Sequence, residues 1–152
     1  MDEWTFINID YRSPHYWAAF ALRDQVLRKP LGLSMEDADP AVEQVMRHFG
    51  MIANDTLMAC VLALPAEGNT AIIRQMAVAK NYRGRGIGSR ILNYAEQQLW
   101  REGIIALRLS ARISAMAFYE AAGYTAYGDE YLSVTVPHRW MRKTLTANDT
   151  SD

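Results

Sequence analysis

Cysteine and histidine are scarce in this chain of 152 residues, which contains one cysteine and three histidines. A single cysteine cannot form a disulfide within the chain, and this favours a reducing compartment. Cys60 lies in the apolar run 58–64, so we expect a small buried strand residue and not a nucleophile. Because the histidines are dispersed and have no cysteine partners, the sequence predicts no metal site.

Long apolar runs and a large net charge are also absent. No apolar run approaches the ~18 residues that a membrane helix requires, and the first residues lack the basic and then apolar pattern of a signal peptide. The formal net charge of −1 argues against broad binding to nucleic acids or membrane surfaces. We therefore expect a cytoplasmic protein that binds a small ligand, with no nucleic-acid and no membrane partner.

The chain does have the composition of an ordinary globular domain, with 50% hydrophobic and 22% charged residues. A chain of this length buries roughly 70% of the surface that it exposes when unfolded, which is enough for one core. We predict a single domain over residues 1–146, followed by a polar, frayed tail at 147–152.

Alternation, helical spacing and turn residues predict an α/β (α+β) chain. The predicted elements are, in chain order, a strand at 4–9, a helix at 14–28, strands at 44–52, 56–64 and 70–79, a helix from the glycine loop to about 103, a strand at 104–110, a short helix at 115–122, and strands at 124–127 and 132–144. The segment from 29 through Glu43 contains helix breakers, so we expect an ordered loop or a short helical piece outside the core. Its acids Glu36, Asp37 and Asp39 would either attract a cationic amine or lie solvated on the loop.

The most informative stretch is 75–92, where an apolar strand leads into a loop with three glycines and three arginines and then into a helix. Alternate glycines leave backbone N–H groups uncovered at a helix N-terminus, which favours a bound anion. A dinucleotide loop requires a third glycine where this chain has Ser89, and an acid about 20 residues further on that is missing here. A Walker loop ends in Gly-Lys-Ser/Thr, which is also missing, so the stretch predicts a phosphate cradle of another kind.

The loop Arg83-Gly84-Arg85-Gly86-Ile87-Gly88 resembles the acyl-coenzyme-A signature of the GNAT superfamily of N-acetyltransferases, Arg/Gln-x-x-Gly-x-Gly/Ala. The stretch from Ala115 to Tyr124 resembles the second half of that family, written N-x-x-A-x-x-F-Y-x-x-x-G-F/Y, although Arg112 replaces the asparagine. The resemblance covers residues 50–144 and implies a mixed, mostly antiparallel central sheet of about six or seven strands flanked by helices. The Pro-His-x-x-Met pattern at 137–141 resembles a branch of small bacterial members.

The resemblance implies an N-acetyltransferase that transfers an acetyl group from acetyl-coenzyme A to an amine of a small molecule or peptide. The implied coenzyme-A contacts are Met76, Ala77, Val78, Arg83, Gly84, Arg85, Gly86, Ile87, Gly88, Ser89 and Arg112. In the family position, the Val78 N–H polarises the thioester carbonyl, and Tyr119 protonates the leaving thiolate. The alternatives are a solvated surface position for Arg112 and a core role for Tyr119.

Deprotonation of the amine is the step that the sequence defines least. Many relatives carry a glutamate on the central strand, and residues 72–76 contain none. His138 is the candidate base, because a reference pKa of ~6.5 suits proton transfer near neutrality; a structural histidine or water-mediated deprotonation are the alternatives. The missing glutamate and Arg112 also leave open a catalytically silent acyl-coenzyme-A sensor or partner-binding module, and a homodimer is a further expectation from the family.

Overall fold

The computed structural model describes residues 4–147, which form one mixed sheet with helices on both faces. Its strands are β1 (Trp4–Ile9), β2 (Arg47–Ala53), β3 (Thr56–Ala66), β4 (Thr70–Val78), β5 (Ala106–Arg112), β6 (Thr125–Ser133) and β7 (Val136–Thr144). The α-helices of the described residues are α1 (Pro14–Arg23), α2 (Pro40–Val45), α3 (Ile87–Arg101) and α4 (Met116–Ala121). Residues 148–152 of the predicted polar tail lie outside the described residues.

The seven strands are ordered β1-β2-β3-β4-β5-β7-β6. Neighbouring strands are antiparallel, apart from β4 and β5, which are parallel. This confirms the predicted mixed, mostly antiparallel sheet. The helices α1 and α2 cover one face of it, and α3 and α4 cover the other.

The long helix α3 packs on the sheet through the apolar face that the sequence predicts. Four side chains at helical spacing are each at most 1% exposed: Ile91, Leu92, Ala95 and Leu99. Each leucine or isoleucine buried in this way stabilises the fold by roughly 1.5–3 kcal/mol. On the opposite face, Tyr16 and Leu22 of α1 pack against Cys60 of β3, whose burial confirms its predicted place in a strand.

The segment before β2 differs from the prediction, because residues 44 and 45 are helical and not the start of a strand. Asp39 caps α2 by accepting a hydrogen bond from the Ala41 N–H, and Pro40 occupies the first turn. The expectation that this segment lies outside the core is wrong for Glu43, which is only 4% exposed. Glu43 is buried because it forms an ion pair with Arg23, which is described below.

The last two strands also differ from the prediction. A turn at Val134 and Thr135 interrupts the predicted strand 132–144 and joins β6 to β7 as a hairpin. Both residues have positive φ, 51° and 62°, a conformation that β-branched residues rarely adopt. Neither residue is of a type that local sequence rules associate with such a turn.

The feature that positions the site is an irregularity in β4. Between its pairs with Leu62 and Cys60 of β3, β4 contains one extra residue, and Gln75 there has a φ of +50°. β4 also pairs with β5 only through residues 70–72, which lie opposite 106–108. Beyond Ile72 the two strands part, and a gap opens inside the sheet.

Candidate active site

A cleft of about 560 Å³ occupies the gap between β4 and β5. Its walls come from β4, β5, α4, the β6–β7 hairpin and the π-helical turn Asp24–Arg28 that follows α1, with Leu31 just beyond it. Four predicted site residues line it together: Met76, Arg112, Tyr119 and His138. The fold thus brings the predicted acid and the predicted base, which are 19 residues apart in sequence, into one cavity.

Tyr119 projects from α4 and packs edge-on against two other aromatic rings. Its ring centroid lies 5.0 Å from that of Phe118 and 5.9 Å from that of Tyr124. Burial raises the pKa of the Tyr119 phenol above its ordinary value, so the hydroxyl keeps its proton at neutral pH. No side chain within residues 4–147 hydrogen-bonds this hydroxyl, and its proton is therefore available for a group in the cleft.

His138 lies on β7, opposite Arg112 of β5 and Tyr131 of β6 in the strand register. Its Nδ1 lies 2.7 Å from the carbonyl oxygen of Val136. Because a carbonyl can only accept, Nδ1 carries the proton of the neutral ring, and Nε2 keeps its lone pair. The backbone therefore sets the tautomer that a general base requires.

The glycine loop adopts backbone conformations that explain its composition. Gly84 and Gly86 have φ values of +77° and +73°, in the left-handed region that favours glycine. Gly86 is the N-cap of α3 and makes no side-chain cap bond, so the first N–H groups of α3 have no partner within the helix. The loop therefore leads into unpaired N–H groups at the positive end of a helix of 15 residues.

The third glycine of the loop, Gly88, is favoured by close packing and not by its φ. A Cβ on Gly88 would lie 3.3 Å from Phe118 Cζ and 3.7 Å from Met76 Cε. The loop thus contacts α4 and β4 closely at this point. Ile87, which follows Gly86, is 1% exposed and its side chain belongs to the core.

The arginines of the loop lie exposed beside it. Arg83 Nε donates a hydrogen bond to the carbonyl of Val78 at 3.2 Å, and the Arg85 guanidinium lies 5.1 Å from the ring centroid of Tyr82. Ser89, also exposed, follows in the first turn of α3. The loop therefore adds positive charge to its unpaired donors, which suits an anion.

The end of β4 exposes alternate backbone groups to the gap. The Ala79 N–H donates to the Met58 carbonyl of β3 at 2.8 Å. Because successive groups of an extended chain point in opposite directions, the N–H of Val78 faces away from β3 and towards the gap, as does that of Met76. The side chain of Ala77, 2% exposed, packs under α1 instead.

A buried polar network behind the cleft is the part of the site that sequence reasoning missed. Arg23, 0% exposed, donates from Nη1 and Nη2 to the carboxylate of Glu43 at 3.0 and 2.7 Å. Its Nη1 also donates to Oε1 of Gln75 at 2.8 Å, so the network holds the irregular residue of β4. Tyr16 donates to Glu43 at 2.8 Å, and His48 Nε2 lies 2.7 Å from the Glu43 carbonyl.

The charges of this network stabilise one another. Burial acts to raise the pKa of Glu43, but the hydrogen bonds and charge of Arg23 outweigh it and hold the pKa below its ordinary value. Burial lowers the pKa of His48, which is therefore neutral. Burial raises the pKa of the Cys60 thiol to about 12, which agrees with the expectation that it is not a nucleophile.

Other expectations for the site can be placed in the same structure. Glu36 and Asp37 are exposed, Asp39 caps α2, and none of the three lines the cleft. Within residues 4–147, no group of three histidine, cysteine or acidic side chains could hold a metal ion. No helix of that part of the chain is long and apolar enough to cross a membrane.

Solved structures of other proteins share this fold. The crystal structure of a candidate N-acetyltransferase from Lactobacillus plantarum superposes with a TM-score of 0.84 over 94% of this chain and 99% of that one, at 24% identity. An acyl-CoA N-acyltransferase from Pseudomonas aeruginosa gives a TM-score of 0.79 over the same shares at 22% identity. At this level of identity the likeness shows the fold alone.

Sequence comparison gives the family. Among curated relatives, the uncharacterised YyaT of Bacillus subtilis (strain 168) is 29% identical over 83 residues, which are 55% of this chain and 56% of that protein. The chain thus spans about half the length of the curated relatives it matches. The model of the acetyltransferase (GNAT) family matches residues 4–124, most of the chain, and includes both the glycine loop and Tyr119. This chain is therefore a member of the acetyltransferase (GNAT) family.

Proposed function

We propose that this protein is an N-acetyltransferase that transfers the acetyl group of acetyl-coenzyme A to an amine of a small molecule or peptide. The observation that carries the proposal is the joint placement of Tyr119 and His138 in the cleft between β4 and β5. One offers a neutral phenol without a partner in the described residues, and the other a ring whose Nε2 is free to accept a proton. A proton donor and a proton acceptor are what acyl transfer to an amine needs.

The chain offers the cofactor the first N–H groups of α3 and the positive charge of two exposed arginines. The N–H groups of residues 85–89 and the exposed Arg83 and Arg85 would hold the diphosphate. The backbone of Met76 and Val78, which faces the gap, would pair with the amides of the pantetheine arm. Acetyl-coenzyme A supplies the activated thioester, and the remote phosphate contact provides binding energy that orients its reactive end.

The residues of the cleft then manage charge and protons. The Val78 N–H stabilises the negative charge that develops on the carbonyl oxygen. As the amine nitrogen bonds to the acetyl carbon and the carbon–sulfur bond breaks, the amine gives a proton to His138 Nε2. Tyr119 gives a proton to the departing sulfur, so the products are an amide and a thiol.

Calorimetric binding of acetyl-coenzyme A, followed by thiol release with a panel of amines, tests the proposal. We expect Tyr119→Phe to lower kcat by about 10²- to 10⁴-fold while the Kd for acetyl-coenzyme A changes little. Tyr127→Phe is the matched control, because Tyr127 lies beside Arg142, outside the cleft. Failure of the protein to bind acetyl-coenzyme A would refute the function itself.

A silent acyl-coenzyme-A-binding module is the second candidate, and one observation favours it. The described walls of the cleft contain no carboxylate that could replace the strand glutamate of many relatives. Such a module would bind acetyl-coenzyme A but release no thiol with any amine. In such a module, wild type, Tyr119→Phe and His138→Gln would all have the same Kd for acetyl-coenzyme A.

A further inference from the structure

The charged side chains that line the cleft between β4 and β5 are all positive. Three arginines line it, one from the turn after α1, one from β4 and one from β5: Arg28, Arg74 and Arg112. Among the described residues that line the cleft there is no aspartate and no glutamate. A concave site with charges of one sign concentrates ligands of the opposite sign.

These three arginines have no acidic partner within residues 4–147. The adjacent basic residues of the same segment contrast with them, since Arg23 is bound to Glu43 and Lys29 Nζ lies 3.6 Å from Asp24. The positive charge of the cleft is therefore not neutralised by the protein. It is available to a ligand.

The arginines enter the cleft from the face that carries α1. Arg74 follows Ile73, and Arg112 follows Ala111; both of these neighbours belong to the core under α3. Because strand side chains alternate between faces, Arg74 and Arg112 point to the opposite face, where the turn with Arg28 also lies. The glycine loop lies on the α3 side, where Gly88 approaches Phe118 of α4.

The two sides of the gap can therefore serve different ligands. The α3 side carries the loop that would hold the diphosphate, and the α1 side carries the three arginines. Apolar side chains join the arginines in lining the cleft, among them Leu27, Leu31 and Val134. A ligand that enters from the α1 side thus meets guanidinium groups together with an apolar wall.

We propose that the acceptor is an amine that also carries a carboxylate and an apolar portion, such as an amino acid with an aliphatic side chain, and not a polycation. Guanidinium groups bind carboxylates through paired, charge-assisted hydrogen bonds, which fix orientation as well as affinity. A polyamine would instead bring its charges against three unneutralised arginines. This inference rests on the proposed acetyl transfer and names the substrate class of the same site.

The experiment compares amines with the same isobutyl group that carry a carboxylate, an amide or neither, namely leucine, leucinamide and isoamylamine, with spermidine as the polycation. Thiol release gives kcat/KM, and ligand-observed NMR gives binding in the presence of coenzyme A. We expect leucine to exceed leucinamide by about tenfold or more in both measurements, since a hydrogen bond between charged groups contributes about 1.5–3 kcal/mol. The preference should decline as salt is raised.

Variants assign the preference to the arginines of the cleft. Arg74→Gln should reduce the ratio of leucine to leucinamide to about twofold or less, and Arg74→Lys should restore part of it. Arg108→Gln is the matched control, because Arg108 lies on the same strand face as Arg112 but stacks on Trp140 and does not line the cleft. It should keep the wild-type ratio.

The outcomes separate this inference from the proposed function. Equal use or equal binding of leucine and leucinamide, a preference for spermidine, or no binding of any of the four amines while acetyl-coenzyme A still binds would overturn the substrate class. Loss of acetyl-coenzyme A binding would overturn the acetyltransferase itself. A preference for leucine that survives Arg74→Gln together with Arg28→Gln would also contradict the inference.

Discussion

Two arginines five residues apart in the sequence, Arg23 and Arg28, have opposite surroundings in the fold. Arg23 is completely buried and each terminal nitrogen of its guanidinium is bound to Glu43. Arg28 lines the cleft and has no acidic partner within the described residues. A fully buried charge is costly unless it is paired, whereas a partly exposed one can stay unpaired for a ligand. The residue type alone therefore does not show whether an arginine stabilises the fold or faces a ligand.

Gln75 connects these two regions. Its side chain accepts a hydrogen bond from Arg23, and it also lines the cleft. It occupies the irregular position of β4, with a positive φ that few residues other than glycine adopt. The paired network thereby fixes the strand from which the unpaired Arg74 projects.

The substitution expected to have the largest effect on the buried Arg23–Glu43 network is Glu43→Gln. It leaves the buried guanidinium of Arg23 without its counter-charge, and we expect a loss of about 3–5 kcal/mol in the free energy of unfolding. Urea denaturation measures it. Glu102→Gln is the matched control, because the Arg47–Glu102 pair is partly exposed and should contribute about 0–1 kcal/mol. Equal losses in the two variants would contradict the structural role of the Arg23–Glu43 pair.

The second variant, Gln75→Met, affects both regions at once. It removes the acceptor of one Arg23 hydrogen bond, so we expect a loss of about 1–3 kcal/mol in stability. It also loosens the irregular segment of β4, so kcat/KM should fall while the Kd for acetyl-coenzyme A changes less. Denaturation together with steady-state kinetics measures both effects. If stability fell and kcat/KM did not, the network would have no influence on the cleft.

The pH dependence of stability probes the paired region through His48. Because its pKa is lowered in the folded state, the unfolded chain binds more protons, and stability is fully present above the unfolded pKa of about 6.5. Stability is then lost as the pH falls towards the folded pKa, with a slope of at most about 1.4 kcal/mol per pH unit. Denaturation at pH 7.5 and 5.5 should show a smaller difference in His48→Gln than in wild type. An unchanged difference would mean that His48 does not titrate on unfolding.

The smallest expected effect is that of Arg74→Gln on stability. Since this arginine is exposed and has no acidic partner in the described part of the chain, its removal should change the free energy of unfolding by no more than about 0.5 kcal/mol. The same denaturation assay measures it. A loss above about 1 kcal/mol would show that Arg74 is structural, which would erase the contrast with Arg23.

Local features were predictable from the sequence and long-range ones were not. The glycine loop was predictable, because its backbone conformations favour glycine and a helix begins directly after it. The Arg23–Glu43 pair joins residues 20 positions apart through a helix end and a segment of turn residues, so no spacing rule could reveal it. The parting of β4 and β5 arises from tertiary packing, and so the sequence suggested a strand without showing where its pairing stops.

The capped start of α2 shows a different limit. Asp39-Pro40 begins the helix, but apolar residues in the following segment also fit a strand, and the strand prediction is wrong for residues 44 and 45. The helix breakers of the segment that ends at Glu43 predict a loop or short helical piece outside the core, and they carry no signal that Glu43 is buried. Its burial required knowledge of the cation that it meets.

The early end of pairing between β4 and β5 gives the sheet an edge in its interior, in addition to those at β1 and β6. Exposed strand edges invite other chains to add a strand and aggregate. Here Met76 of the unpaired stretch lines a cleft that α4 and the β6–β7 hairpin also line, so this edge lies in a slot and not at an open border. Such a slot excludes a whole β-strand of a neighbouring molecule, and admits a slender chain with a few amides of its own.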